Sequence, residues 1–287
     1  MPRGIIFVTY QSQIRDSLTT SLLKDCKIIY LTDVIVPSPY AGYFWNGNDK
    51  VMVSDYDYAI IMPSSLMAKS VYLYLKDHIK VFGNPFVRDQ LVNKVTSQLI
   101  VSNAGIPVVP FVYGQLINPL IHLNEFKDQV VEKPYNLSCG ANVNIYPLPI
   151  STIKEDQIYQ QYIECDSTDE RWIIVGDRIV SAMRRHSTEI GEFRANISLG
   201  GVGEPIDITD DMQEFAKRII DQFPGYFYAG IDIITDRDGN RYYLEGNIMP
   251  GEKIIEITNH NYFDDLYNYI ISNLKEDEES IGNRTDL

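Results

Sequence analysis

Short apolar runs alternate with helix-like segments through the first third of the chain. Residues 4–10, 27–31, 58–62 and 79–82 read as buried strands, and 14–23 and 65–77 as helices. Strands that alternate with helices predict a parallel sheet in an α/β unit. The proline- and glycine-bearing segment 37–49 reads as a loop. No GxGxxG follows the first strand, so a dinucleotide site there is not expected.

The pattern then changes. Leu91, Val95, Leu99 and Val101 give one apolar face to a helix over 89–103, which Asn103-Ala104-Gly105 stops. Residues 106–112, 129–134, 142–148 and 158–163 read as strands, with a polar glycine-bearing loop over 135–141. Strands 171–175 and 178–184 alternate clearly and form a hairpin across Gly176-Asp177. A helix follows over 211–223, then strands 228–234 and 241–245 paired across an Asp-Gly turn, and a last helix over 262–274. No internal repeat is present. The expected fold class is α/β followed by α+β.

Composition narrows the function. The chain has 287 residues, enough for two domains or a compact three-part enzyme, and a formal net charge of -14. Part of that charge sits in an acidic tail over 276–287, expected to fray. An acidic total argues against nucleic acid as a partner. No apolar run reaches the length of a membrane span, and the N-terminus carries no signal-peptide pattern. The three cysteines, Cys26, Cys139 and Cys165, fit neither a disulfide framework nor a metal motif, and a cytoplasmic setting is expected.

Three groups of residues carry chemistry. Asp232 lies inside an apolar strand, and Glu245 and Asn247 lie two apart on the strand expected to pair with it. An acid within an apolar strand is costly unless paired or metal-bound. Oxygen ligands converging from two strands suit Mg²⁺ on nucleotide phosphates. Lys94 opens a helix, and Lys133 ends a strand just before the small-residue loop Ser138-Cys139-Gly140-Ala141, whose amides can approach phosphate. Arg184 and Arg185 end the hairpin strand, and Arg194, Asn196 and Gly200-Gly201 follow in a loop. Arginines there offer bidentate donors to phosphate or carboxylate. The four histidines are scattered, and no Ser-His-Asp arrangement is present.

In this order the motifs resemble the ATP-grasp ligases, and among them the branch of the ribosomal-protein glutamate ligase RimK and bacterial glutathione synthetase. Phe193-Arg194-Ala195-Asn196-Ile197, Gly200-Gly201, Ala229-Gly230-Ile231-Asp232 and Glu245-Gly246-Asn247 carry the likeness, which spans roughly residues 84–256. The resemblance implies an ATP-grasp fold with a Rossmann-like pre-grasp domain at 1–83, a helix and central lid at 84–163, a C-terminal grasp subdomain at 164–275 and the tail at 276–287. It implies that Lys94, Lys133, Ser138 and Gly140 hold phosphates. It further implies that Gln161, Tyr162 and Ile163 form a hinge reading adenine and that Glu170 contacts ribose. Arg194 and Asn196 would face the γ-phosphate or acyl phosphate, and Arg184 or Arg185 would grip the acceptor. Asp232, Glu245 and Asn247 would bind two Mg²⁺ ions, with Mn²⁺ as a substitute.

The implied activity is ATP-dependent amide formation between a carboxylate donor and an amine acceptor, an amino acid or peptide, through an acyl phosphate. A macrocyclase-type enzyme acting on a ribosomal precursor peptide is an alternative reading, as is a nucleotide-binding protein without ligase activity. Homo-oligomerisation is left open. The chain departs from its relatives in places: Asn93 stands for the usual aspartate, Gln161 for the hinge glutamate, and Leu199 for an arginine. The segment Ile248-Met249-Pro250-Gly251 also lacks the relatives' small residues. The nucleotide side therefore reads as intact and the substrate side as altered, so glutamate is not assigned as the donor.

Overall fold

A computed structural model describes residues 2–9, 26–36, 41–114, 126–135 and 142–282, with side chains to 275. The helix expected at 14–23 and the loop residues Ser138, Cys139 and Gly140 lie outside the described residues.

The first unit is a parallel sheet. Strands β1 (Gly4–Val8), β2 (Cys26–Tyr30), β6 (Tyr58–Ile61) and β7 (Lys80–Phe82) lie in the order β2-β1-β6-β7. All five residues of β1 are buried, as expected for a parallel strand covered on both faces. Helix α1 (Leu66–Leu75) is capped by Ser65, whose side chain accepts from the Ala68 amide at 3.2 Å. The expected loop 37–49 is corrected in part. Strands β3 (Val34–Ile35), β4 (Tyr43–Asn46) and β5 (Asp49–Met52) form a small antiparallel sheet. Phe44 and Val51 face each other across it and enter the core beside Phe7 and Ala59.

The helix expected at 89–103 is two helices, α2 (Pro85–Val92) and α3 (Lys94–Asn103). Asn93 between them is extended, at φ −75° and ψ 111°, and its Oδ1 accepts from the amides of Val95 and Thr96 at 3.1 and 3.0 Å. Asn serves as well as Asp in this capping role. The cap places Lys94 at the first helical position.

A four-stranded antiparallel sheet follows: β8 (Phe111–Tyr113), β9 (Gln129–Pro134), β10 (Asn144–Pro147) and β11 (Gln157–Gln161), in the order β10-β9-β11-β8. The largest sheet is also antiparallel. Its strands are β12 (Thr168–Val175), β13 (Arg178–His186), β14 (Val202–Pro205), β15 (Tyr228–Thr235) and β16 (Arg241–Asn247), ordered β14-β13-β12-β15-β16. Helices α4 (Asp210–Ile220), α5 (Lys253–Thr258) and α6 (Tyr262–Gly282) complete the fold. The run of α6 to Gly282 takes part of the acidic tail into helix.

Alternation along β12 sorts the two faces of this sheet. Trp172 and Ile174 pack with Met212, Ala216 and Ile219 of α4 and with Leu91 and Val101 of α2 and α3. Ile173 and Val175 pack with Tyr262, Leu266 and Ile270 of α6 and with Ile6, Ile60 and Phe82 of the parallel sheet. Among the described residues no helix is long and apolar enough to cross a membrane.

Candidate active site

Two clefts border the large sheet. The first lies between the β8–β11 sheet and the ends of β15 and β16. Its lining combines apolar side chains, Val109, Val131, Ile163, Ile234 and Leu244, with the charged and polar groups of Lys94, Lys133, Arg194, Asn196, Asp232 and Glu245. Apolar walls can receive a flat ring and the lysines and arginine can receive phosphates. Gln161, Tyr162 and Ile163 also line this cleft. The Gln161 and Tyr162 amides donate to Pro110 and Gln129 carbonyls at 2.9 and 3.1 Å, which fixes this segment, the expected hinge, against the neighbouring strands.

Strand geometry brings the metal-type residues together. Asp232 and Glu245 are direct partners across β15 and β16, and Asn247 lies one step further along, opposite Gly230. The Asn247 amide nitrogen lies 3.4 Å from Asp232 Oδ2, and Lys94 Nζ lies 3.5 Å from Glu245 Oε2. Gly246 lets β16 approach α2. A Cβ at that position would come within 2.6 Å of the Leu91 side chain and 3.0 Å of its carbonyl. This close approach sets Lys94 beside Glu245.

Asp232 is 2 % exposed. Its carboxylate takes two hydrogen bonds from Arg171, at 2.8 and 2.7 Å, and one from Arg185 at 3.1 Å. Arg185 reaches on to grip Asp169 at 2.6 and 2.7 Å. Burial opposes the charge on Asp232, but Arg171 and Arg185 outweigh it and hold the carboxyl well below the usual carboxylate range. Two carboxylates and an amide on adjacent strands carry the hard oxygen donors that Mg²⁺ takes. Arg171 and Arg185 hold both Asp232 oxygens in this structure, so Glu245 is the readier donor and Asp232 would serve the metal only by releasing part of its hold on the arginines.

Lys133 is buried, and burial pushes its ammonium down to about 8, with Lys94 acting in the same direction and Glu245 against it. A cation that binds phosphate through its charge weakens as it deprotonates. Affinity for Mg·ATP is therefore expected to fall as pH rises through about 8. Lys133→Arg should flatten that fall because a guanidinium keeps its charge. Titration calorimetry between pH 7 and 9.5 checks this, and parallel profiles for the two proteins would refute it.

The structure brings together Lys94, Lys133, the hinge, Arg194, Asn196, Asp232, Glu245 and Asn247 around the two clefts. It places two expected residues elsewhere. Glu170 turns to the α4 face of β12, where its carboxylate accepts from Trp172 Nε1 and from Arg184 Nη2, each at 3.0 Å. Arg184, its partner in register, shares that face and also pairs with Glu204. The neighbouring positions Asp169 and Arg185 face the clefts instead. Alternation along the strand makes this a choice between adjacent residues, and packing of α4 decides it. Sequence reasoning passed over Asp169 and Arg171, although their two-residue spacing beside the apolar run Trp172-Ile173-Ile174-Val175 marks both for one face. It also passed over Gln98 and Gln160. Gln160 donates to Gln98 Oε1, and Gln98 donates to the Leu244 carbonyl, each at 3.0 Å. This relay ties β11 to α3 and β16. Arg194 is held by Glu192 through contacts of 2.9 and 2.6 Å, which keep the Glu192 carboxyl down at about 2.

The second cleft lies on the other side of Glu245. Arg171, Met183, Arg185, Ile248, Met249 and Lys253 line it, and it shares Lys94, Asn196 and Glu245 with the first.

Two clefts that share Lys94, Asn196 and Glu245 beside an antiparallel sheet accord with the ATP-grasp ligases, which join carboxylates to amines. Residues 117–270 match the RimK-like ATP-grasp domain, and the chain belongs to that family. Such enzymes use ATP with magnesium. The chain is 27% identical to the tetrahydromethanopterin:alpha-L-glutamate ligase of Methanocaldococcus jannaschii, covering 96% of this chain and 100% of that protein. It is 28% identical to a probable alpha-L-glutamate ligase of Mannheimia succiniciproducens over 77% of this chain and 78% of that one. The ATP-grasp ligase PsnB, solved with its minimal precursor, superposes with a TM-score of 0.71 at 15% identity, over 94% of this chain and 99% of PsnB. D-alanyl-alanine synthetase A of Vibrio cholerae superposes with a TM-score of 0.64 at 14% identity, over 96% and 99%. At such identities these two likenesses concern the fold.

Proposed function

We propose that this ligase activates a substrate carboxylate with ATP and joins it to the amine of an α-amino acid, with L-glutamate the first candidate, or of a short peptide. The observation that carries the reading is the junction of the two clefts at Lys94, Asn196 and Glu245. A phosphoryl group leaving the nucleotide cleft meets a carboxylate in the second cleft at that point. Arg171, Arg185 and Lys253 line the second cleft and are paired with Asp232, Asp169 and Glu256, so an anionic substrate group would share these cations with carboxylates of the protein. Its lining carboxylates are already countered, Asp89 by Lys69 at 2.8 Å and Glu245 by Lys94 at 3.5 Å.

In this reading 1–83 forms the pre-grasp domain, 84–163 carries the lid, and 164–275 supplies the catalytic sheet. Lys94 and Lys133 hold the nucleotide phosphates. A substrate carboxylate oxygen attacks the γ-phosphorus in line, the bond to the β–γ bridging oxygen breaks, and ADP departs. Arg194 and Asn196 steady the acyl phosphate. The amine then attacks the acyl carbon and loses a proton, and inorganic phosphate leaves as the amide forms. Position and charge supply the catalysis, with no covalent nucleophile from the protein. Asp232, Glu245 and Asn247 would hold two Mg²⁺ ions, which when bound neutralise charge on the transferring phosphoryl group.

ADP release tests the proposal. Purified protein with Mg·ATP is screened against carboxylates, with L-glutamate or short peptides as amines. Release should require both partners. Demonstrated ATP binding with no ADP formed from any pair would overturn the ligase reading in favour of a nucleotide-binding role.

A further inference from the structure

Arg88, in the first turns of α2, is 1 % exposed. Its guanidinium carbon lies 5.5 Å from the Phe227 ring centre and 5.4 Å from that of Tyr228. Nη2 donates to the Ile248 carbonyl at 2.9 Å, while Nε and Nη1 have no hydrogen-bond partner among the described residues. A buried cation so incompletely satisfied adds little to stability, and an apolar side chain of similar volume commonly serves the fold as well or better.

The contact it does make falls on a functional segment. Ile248 directly follows Asn247, and Ile248, Met249, Gly251 and Lys253 form one wall of the second cleft. Among the described residues the segment is pinned from three elements. Arg88 of α2 takes the Ile248 carbonyl, the Tyr228 hydroxyl of β15 lies 3.4 Å from the Met249 sulfur, and the Tyr262 hydroxyl of α6 donates to the Pro250 carbonyl at 3.2 Å. Of the three, Arg88 acts nearest to Asn247.

We propose that Arg88 is a positioning residue that fixes the Ile248–Gly251 wall and so sets the apolar side of the substrate cleft. A substrate for this enzyme then carries an apolar portion beside its charged group, which packs on Ile248 and Met249.

The test uses the full chain with Arg88→Met and Arg88→Gln. Amide hydrogen exchange of Asn247, Ile248, Met249 and Gly251 should quicken about tenfold or more in Arg88→Met, with β12 and β15 amides unchanged. Unchanged exchange of the wall in a folded variant would overturn the proposal. Should Arg88→Met fail to fold, Arg88→Gln carries the same measurement. A second arm rests on the ligase reading above. KM for the cleft substrate should rise about tenfold while KM for ATP stays within about twofold, since the wall borders only the second cleft. Equal shifts in both would mark a general structural role and would also overturn the proposal. If the wild-type protein releases no ADP with any substrate pair, the ligase reading fails, while the exchange arm still decides the role of Arg88.

Discussion

Arg185→Ala is expected to unfold at a much lower temperature than the wild-type protein, whereas Arg184→Ala, one residue away, is expected to behave almost normally. Arg185 is 2 % exposed and stands between two carboxylates, Asp169 and Asp232. Removing it leaves Asp169 without this partner and Asp232 with Arg171 as its arginine. Breaking a buried ion pair in this way costs about 3–5 kcal/mol, because the remaining charge is uncompensated. For a chain of this size that corresponds to a fall in Tm on the order of 10 °C. The Arg184 side chain is 45 % exposed; its partner Glu204 is also exposed, while Glu170 is buried and keeps the Trp172 Nε1 donor. The loss of Arg184 should cost less than that of Arg185, because a guanidinium open to water contributes little and Glu170 retains one partner. Thermal unfolding of the two variants decides the matter, and ADP release should follow the same order. If Arg184→Ala proved the more damaging, the assignment of the two faces of β13 would be wrong.

Glu245→Gln is expected to lower turnover by on the order of 10²-fold or more, as for loss of one main electrostatic contact, with a small change in ATP affinity. The substitution keeps size and hydrogen-bonding capacity and removes one negative charge at the junction of the clefts. That charge matters most while a phosphoryl group is in transfer, so the loss should fall on kcat. Lys133→Ala should instead weaken ATP binding first, because its phosphate contact is present before reaction. Calorimetric Kd for ATP and single-turnover ADP release, measured on both variants, separate the two roles. Full turnover by Glu245→Gln with a working substrate pair would remove Glu245 from the metal site.

The local residue pattern made much of the nucleotide side legible. An acid in the apolar run Ala229-Gly230-Ile231-Asp232, with Glu245 and Asn247 two apart, needs a partner wherever the strands pair, and strand periodicity alone puts the latter two on one face. Lys94 after a capping residue and Lys133 at a strand end are likewise local features. The same local reading joined α2 and α3 into one helix, because the apolar spacing runs through Asn93 and a side-chain cap within a helical pattern carries little signal. It also missed the β4–β5 hairpin, whose strands are four residues each with one buried position, Phe44 and Val51, too short for alternation to show.

By itself, then, the sequence determined the class of chemistry through its resemblance to a family, and residue type and short-range spacing picked out the candidate phosphate- and metal-type residues. Which of two adjacent strand residues enters the site was decided only when α4 covered one face of the large sheet. That contact sent Glu170 and Arg184 to one side and Asp169 and Arg185 to the other. The burial of Arg88 was likewise fixed only by tertiary structure. It depends on Phe227, Tyr228 and Ile248, which lie some 140 to 160 positions away along the chain and meet Arg88 only when α2 packs against β15 and β16.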